Sequence, residues 1–468
     1  MDLLLKGKKV TVMGLGLYKD GSGISATRFL VKAGAKVTVT DLKTAEQLSK
    51  QIKRLGKMAK KIKLVLGKHL ESDFKNADLI IKNPGVPANS KFLQIAKVNN
   101  IPIFNDVSLF FQLVDRKRIL AVTGTRGKST TTTLLYNFIK EQDRNAVLGG
   151  NITKSPLAQI PLVKRGGNIV LELSSWMLEG LADIQKSPHL AIFTNIYPDH
   201  LNTYNNIEEY ADAKKNIFKY QTPQDYIILN RDNDYTLKMG AEVLSQRFWY
   251  SLKPFTEENG CFVREGNIIF RYNGVEQKIC STKNLQLPGQ HNLSNALAAI
   301  CGAMIYGLKP HQIIKVLRNF KVMPNRLEFL KELKGIKYYN DTTSTTPEAT
   351  IAALQSLSDN KKNNIILIAG GSDKGLNFDN LVKEIIKYCK AVVLLSGSGT
   401  IRLKSLLNQQ QKIKLLEANS MKEAVSLARQ QAIKNDLILL SPACASFGMF
   451  NNEFDRGEQF VKIIKSLK

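Results

Sequence analysis

One stretch limits what this chain can become more than any other: Ile119-Leu-Ala-Val-Thr-Gly-Thr-Arg-Gly-Lys-Ser-Thr130. A short apolar run, a glycine turn and a helix start, in that order, predict a strand–loop–helix unit that cradles phosphate. Gly124 and Gly127 let backbone N–H groups approach a polyphosphate closely. The Lys128 ammonium can neutralise its outer oxygens, and Ser129 or Thr130 offers a hydroxyl to a magnesium ion. The helix expected from about Thr130 to Lys140 aims its positive end at the same spot. The full pattern has one more glycine, five positions before Gly127. Val122 stands there, so this is the shortened form.

Around that loop, strand and helix patterns alternate. At 468 residues the chain exceeds one ordinary core, and its length suggests about three domains. Lys9–Met13 reads as a strand, followed by Gly14-Leu-Gly16, a polar loop and a helix from about Ser25 to Ala33. A second strand, Lys36–Thr40, ends at Asp41. This is the outline of a Rossmann βαβ unit with an acid after its second strand. The third glycine is displaced to Gly21, so the dinucleotide fingerprint is not met. Asp41 suits either a ribose or uracil contact or a turn-forming role. Ala77–Ile81 is the next strand. It runs into Lys82-Asn-Pro-Gly-Val-Pro87, a turn at the strand end where open α/β sheets bind ligands. A first boundary falls near residue 112.

Behind the phosphate loop come Gly149-Gly-Asn-Ile152 and the strand Asn168-Ile-Val-Leu-Glu-Leu-Ser-Ser175. Glu172 interrupts a buried type of strand. A carboxylate there is costly unless it is paired or metal-bound, which makes it a candidate magnesium ligand. His200, in Asn195-Ile-Tyr-Pro-Asp-His-Leu201, follows another strand of the same sheet and is a second candidate. A helix from about Ile207 to Tyr220 carries Lys214 and Lys215, which on their own read as a solvated face. Beyond Tyr226–Leu229 the chain becomes β-rich, with a hairpin turning at Asn273-Gly274. Gln290-His-Asn-Leu-Ser-Asn295 opens a helix with Asn292 and Asn295 on one face.

A second linker lies around Met323–Glu328, and βα alternation then resumes. Three polar loops end strands there: Asp341-Thr-Thr-Ser-Thr-Thr346, Gly370-Gly-Ser-Asp-Lys-Gly375 and Ser441-Pro-Ala-Cys-Ala-Ser-Phe447. All three are expected on one edge of a parallel sheet, the edge where ligands bind.

Composition narrows the class. Apolar residues are 43% and charged residues 23%, as in a soluble globular protein, and no apolar run reaches the ~18 residues of a membrane span. With no signal-peptide pattern either, the expectation is a cytoplasmic protein. Five scattered cysteines without a Cys-x-x-Cys pair argue against zinc sites and disulfides. The net charge of +27 has three readings: a lysine-rich solvated surface, attraction of a polyanionic small molecule, or nucleic-acid binding. The basic runs are broken by apolar positions and lack an aromatic stripe, which counts against nucleic acid.

Taken together, Gly-Thr-x-Gly-Lys-Ser-Thr, Gly-Gly-Asn-Ile, Glu-Leu-Ser-Ser, Asp-His-Leu, Ala-Lys-x-x-Ile, Gly-x-His-Asn and Asn-Arg-Leu-Glu resemble the Mur ligase family of peptidoglycan precursor synthesis. The motifs occur in family order over almost the whole chain. The resemblance implies an α/β protein of three domains. Residues 1–112 would form a Rossmann-like domain for a UDP-linked substrate, and 113–324 a central phosphate-loop ATPase domain. That central domain would have a mostly parallel sheet plus a small β-rich part. Residues 325–468 would form a Rossmann-like domain for the incoming amino acid. Ser-Pro-Ala-Cys-Ala-Ser-Phe and Asn-Pro-Gly-Val look most like the branch that adds D-glutamate. The implied substrates are ATP, UDP-N-acetylmuramoyl-L-alanine and D-glutamate, with magnesium as cofactor. A monomer is expected, with no nucleic-acid partner and no membrane insertion. A relative adding another amino acid, such as L-glutamate, or a folylpolyglutamate synthase-like ligase is the rival.

By the same likeness, Gly124, Thr125, Arg126, Gly127, Lys128, Ser129 and Thr130 hold ATP, with Asn292, Asn295, Arg326 and Asp341 on the nucleotide side. Lys128, Glu172, His200 and Lys214 form the catalytic group. Ser129, Glu172, His200 and Lys214 are the metal side, Lys214 matching a lysine carbamylated by CO₂. Asp41, Asn83 and Asn151 fall to the UDP-substrate. Thr345, Lys374, Ser446 and Phe447 fall to the amino acid. Three positions depart from the family pattern: Arg126 stands where asparagine is usual, Thr343 where lysine is, and Asn325 where histidine is.

Overall fold

The computed structural model of the chain describes residues 5–17, 21–87, 89–151, 154–199, 203–285, 289–320, 324–358, 363–410 and 413–467. Its backbone is organised by three sheets. The first is wholly parallel, in the order β3-β2-β1-β4-β5, from β1 (Lys9–Met13), β2 (Lys36–Asp41), β3 (Lys63–Leu66), β4 (Leu79–Lys82) and β5 (Ile103–Phe104). Buried valines and isoleucines on β1 and β4 explain why these strands sit at the middle, covered on both faces.

The second sheet has nine strands. Its parallel part joins β6 (Ile119–Thr123), β7 (Val147–Gly150), β8 (Ile169–Glu172), β9 (Leu190–Phe193), β10 (Tyr226–Asn230), β11 (Gln246–Ser251) and β12 (Gly260–Arg264). An antiparallel edge of β13 (Asn267–Tyr272) and β14 (Val275–Ser281) completes it. The hairpin between these two turns at Asn273-Gly274 as the sequence implies, both residues having positive φ (50° and 80°). Strand β6, with every residue buried, lies between β8 and β9, so the loop that leaves it is flanked by the ends of both neighbours.

The third sheet runs β15-β16-β20-β17-β18-β19. It is built from β15 (Glu328–Leu333), β16 (Ile336–Asn340), β17 (Ile365–Gly370), β18 (Cys389–Leu395), β19 (Lys414–Ala418) and β20 (Leu437–Leu440). Only β15 pairs antiparallel. The first two sheets belong to one compact unit and the third to another, which also takes in residues 285–293. The first unit shares one apolar core from Val10 and Leu30 through Phe110 to Leu171 and Phe193. The second unit packs helices on both faces of its sheet, around Leu367 and Leu381 on one side and Ile368 and Val425 on the other.

Three helix boundaries differ from expectation. The helix after β1 spans Ser22–Lys32, starting three residues early. The helix after the phosphate loop spans Lys128–Lys140, starting two residues early because Gly127 (φ 80°) makes the turn itself. The helix read as reaching Tyr220 is Ile207–Lys215. Beyond it, Ile217 N–H and Phe218 N–H donate to Lys214 O and Lys215 O, so the last turn tightens to i→i+3 bonds. No helix among the described residues is long and apolar enough to cross a membrane.

Candidate active site

The phosphate loop is held from below by its own neighbours. Thr125 N–H donates to Asn195 O, and Arg126 N–H to Asn195 Oδ1 at 2.8 Å. Arg126 O accepts from Thr194 Oγ1 at 2.6 Å and from Asn195 Nδ2 at 3.2 Å. Residues after β9 therefore fix the loop's shape. A Cβ on Gly127 would lie 2.1 Å from Asn295 Oδ1, so glycine is what lets the loop and the asparagine approach. Ser129 is buried and Thr130 half-buried at the helix start.

Two amines converge on this loop. Lys128 Nζ donates to Gly124 O at 3.0 Å and Thr125 O at 2.9 Å. Lys214 Nζ also donates to Gly124 O, at 3.0 Å, and lies 4.7 Å from the centre of the Tyr210 ring. Lys214 is only 1% exposed, so its solvated-face reading is overturned. Burial, reinforced by the Lys128 charge, holds its amine well below the usual lysine range, against the pull of Asp199 and Glu172. Both causes disfavour its charged form.

Glu172 ends β8 in register with Val122, one strand from the loop, and is 2% exposed. Its Oε1 accepts from Asn151 Nδ2 at 2.9 Å, and its Oε2 is buried with no hydrogen-bond partner. An orphaned buried carboxylate oxygen fits a cation. A hydroxyl at Ser129 and a carbamate on Lys214 would add oxygen donors of the kind magnesium prefers. Side chains alone give no ready-made cluster: among the described residues, no three His, Cys, Asp or Glu groups gather as a metal site. His200 lies outside the described residues.

Arg126, the residue that departs from the pattern, pairs through Nη1 with Asp199 Oδ2 at 3.1 Å. Sequence patterns alone do not single out Asp199 or Tyr210. Tyr210 precedes Lys214 by one helical turn, a spacing that could have signalled it.

Of the three residues expected to hold the UDP-substrate, Asp41 and Asn83 gather around the glycine stretch after β1, and Asn151 lies beside Glu172. Asp41 accepts from Leu15 N–H at 2.9 Å and Lys43 N–H at 3.0 Å, which anchors that stretch. Asn83 Nδ2 donates to Gly14 O at 3.4 Å, and the asparagine lies against the position a Cβ on Gly14 or Gly16 would take. Asn151 N–H donates to Glu172 O.

In the second unit the three polar loops meet as expected at the carboxyl ends of β16, β17 and β20. Lys374 Nζ donates to Thr345 Oγ1 at 3.1 Å, Ser372 Oγ to Phe447 O at 2.5 Å, and Ala443 N–H to Ser344 O. Ser446 is buried beside Phe447, which is 66% exposed. Asp341 accepts from Ser344 Oγ, Ser441 Oγ and Leu327 N–H, and burial pushes its carboxyl up to about 6 despite nearby Arg326. The other two departing residues hold each other: Thr343 Oγ1 donates to Asn325 O at 2.9 Å, and Asn325 has φ 68°. Asn292 is buried on the helix Gln290–Tyr306, one turn before Asn295. Arg456, which the sequence did not mark, is fully buried and donates to Thr342 O, Thr342 Oγ1 and Cys444 O, tying two of these loops together.

A phosphate loop beside a buried carboxylate and a buried amine on the second sheet, and donor-rich strand-end loops on the third, define a nucleotide-dependent α/β enzyme. Models of the Mur ligase MurD-like N-terminal domain, the Mur ligase middle domain and the Mur ligase glutamate ligase domain match residues 8–105, 122–303 and 325–444. The chain belongs to the Mur ligase family. It is 40% identical to UDP-N-acetylmuramoylalanine--D-glutamate ligase of Roseiflexus sp. (strain RS-1), covering 99% of each chain. It is 37% identical to the enzyme of that name from Borreliella afzelii (strain PKo), again over 99% of each. Among solved structures it shares its fold with a Thermotoga maritima UDP-N-acetylmuramate-alanine ligase, with a TM-score of 0.63 and 20% identity over 98% of this chain and all of that one. A pseudomurein peptide ligase of Methanothermus fervidus gives 0.59 and 21%, over 99% and 100%.

Proposed function

We propose that this chain is an ATP-dependent amide-bond ligase. It adds D-glutamate to UDP-N-acetylmuramoyl-L-alanine in peptidoglycan synthesis, giving ADP and phosphate. The observation that carries this is the likeness, end to end, to ligases named for that reaction. The loop geometry supports the same reading.

The substrate carboxylate attacks the γ-phosphoryl of ATP in line, forming an acyl phosphate and releasing ADP. The glutamate amine then attacks the acyl carbon, and phosphate leaves. Backbone N–H groups of 124–130 and the Lys128 ammonium bind the transferring group and stabilise its charge. Lys128 can leave Gly124 O and Thr125 O for a phosphate oxygen without changing its backbone. Glu172 through Oε2, Ser129, His200 and a carbamate on Lys214 are the residues that would hold magnesium. Bound there, the ion supplies charge neutralisation at the phosphates. A carbamate forms when CO₂ adds to the uncharged form of the Lys214 amine with loss of one proton, and burial favours that form. Asn292, Asn295, Arg326 and Asp341 take the nucleotide side, and Asp41, Asn83 and Asn151 the UDP-substrate. Lys374, with Thr345, Ser446 and Phe447, receives D-glutamate, whose two carboxylates need a cation and several donors.

We further propose functional divisions at 1–112, 113–324 and 325–468, and a cytoplasmic location, where ATP is supplied. The test is phosphate release with UDP-N-acetylmuramoyl-L-alanine and a panel of amino acids. D-Glutamate should stimulate it alone. Turnover with L-glutamate instead, or none with D-glutamate, rejects the assignment.

A further inference from the structure

A loop that the sequence left unmarked, Ser396-Gly-Ser-Gly-Thr400, leaves β18 and opens the helix Ser398–Asn408. Strand β18 pairs with β17 in parallel, Leu395 beside Gly370, so this loop starts next to the one that carries Lys374. The two loops are bonded along their length. Gly371 N–H donates to Thr400 Oγ1 at 3.0 Å, Gly399 N–H to Gly371 O at 2.9 Å, and Asp373 N–H to Ser398 Oγ at 3.0 Å. A Cβ on Gly397 would lie 2.3 Å from the Gly371 carbonyl, so glycine permits the approach.

From the second turn of that helix, Arg402 reaches the Lys374 loop on both sides of the lysine. Its Nη1 donates to Asp373 Oδ2 at 2.8 Å, and its guanidinium carbon lies 5.6 Å from the centre of the buried Phe378 ring. The other oxygen of Asp373, Oδ1, accepts from Gly375 N–H at 2.8 Å, a turn that wraps Lys374. Burial would push the Asp373 carboxyl up, but Arg402 and the Gly375 N–H hold it below the usual carboxylate range. Lys374 thus follows directly on a charged carboxylate. Uncompensated, that charge would repel an anionic substrate and compete with it for the lysine ammonium. The Arg402 guanidinium offsets it.

We propose that Arg402 is a positioning residue of the amino-acid site. It neutralises Asp373 and fixes the Lys374 loop, which leaves the lysine ammonium to the substrate carboxylate. That Lys374 receives an amino acid rests on the function proposed above; the pairing of Arg402 with Asp373 does not. Arg402 acts through Asp373 and Lys374, not on a reacting atom. Its removal should therefore weaken capture of D-glutamate and spare the other two substrates and the chemical step.

The experiment measures KM for each substrate and kcat at saturation. Arg402→Ala should raise KM for D-glutamate about fivefold, the scale of one exposed ion pair, with kcat and the KM values for ATP and UDP-N-acetylmuramoyl-L-alanine within about twofold of wild type. Arg402→Lys, which keeps the charge, should stay within about twofold throughout. Asp373→Asn keeps the oxygen that bonds Gly375 and drops the charge. Added to Arg402→Ala, it should bring KM for D-glutamate back to within about twofold of wild type. Such a rescue is not expected of an arginine that only packs against its neighbours. An unchanged KM in Arg402→Ala, a double variant as poor as Arg402→Ala, or a loss spread equally over all three substrates overturns the proposal. If another amino acid of the panel is the one joined, the proposed reaction is refuted and the same variants are read on that amino acid's KM; a chain that joins none refutes both.

Discussion

At the scale of single residues, Lys214 is the most exacting position. Its amine is fully buried, which disfavours its charged form, and shares the Gly124 carbonyl with Lys128. A positive charge there would face Lys128 and Arg126, whereas a carbamate would face them as a counter-charge. Lys214→Ala should therefore cut kcat by about 10²-fold or more, the scale of losing one charged group at a transition state. Added acetate or formate should restore part of that rate, by placing a carboxylate in the emptied space. Lys214→Arg should be equally slow and not rescued. Carbamylation is rejected if carboxylates fail to rescue Lys214→Ala and removal of CO₂ leaves wild-type rates unchanged. Little of this is legible in the local sequence, because Lys214 and Lys215 look alike on a polar helix. Burial separates them, and burial comes from Tyr210 and the phosphate loop, which are distant in sequence or unremarkable by themselves. Glu172 was legible, since a lone acid in a buried apolar strand must find a hydrogen-bond donor or a cation. The Arg126–Asp199 pair was not, since no rule of spacing joins residues 73 apart.

At the scale of elements, the turn between β6 and its helix depends on Gly127. Its φ is 80°, and a Cβ would run into the Asn295 side chain. Gly127→Ala should lower stability by about 1–3 kcal/mol, the cost of a strained left-handed residue. It should also weaken ATP binding more than UDP-substrate binding, because it pushes Asn295 away from the loop. Denaturant unfolding with paired nucleotide titrations checks both effects. Equal stability and ATP affinity would show that the loop relaxes around the methyl group. The central strands were legible because each is an unbroken apolar run covered on both faces. Edge strands β15 and β19 were missed. Their half-exposed residues alternate with charges, as in Glu328-Phe-Leu-Lys-Glu-Leu333, and a polar alternation does not separate a strand from a loop. The helix start was read two residues late because glycine is a poor helix former, and its left-handed turn was not part of that reading.

At the scale of the whole molecule, two compact units carry different parts of the proposed chemistry. Asp41, Asn83 and Asn151 lie in the first unit, and Thr345, Lys374, Ser446 and Phe447 in the second. Each unit has its own apolar core, so each can in principle unfold as its own cooperative step. A ligand that binds only the folded form of one unit stabilises that unit alone, by about 2.7 kcal/mol at a hundred times its Kd. Scanning calorimetry should therefore resolve two transitions. UDP-N-acetylmuramoyl-L-alanine should raise one of them and D-glutamate the other. Lys374→Ala should remove the D-glutamate shift and leave the UDP-substrate shift intact, because Lys374 Nζ donates to Thr345 Oγ1 on a loop of the second unit. A single transition that both ligands raise equally would show that the units unfold as one. A D-glutamate shift that survives Lys374→Ala unchanged would place the amino-acid site elsewhere.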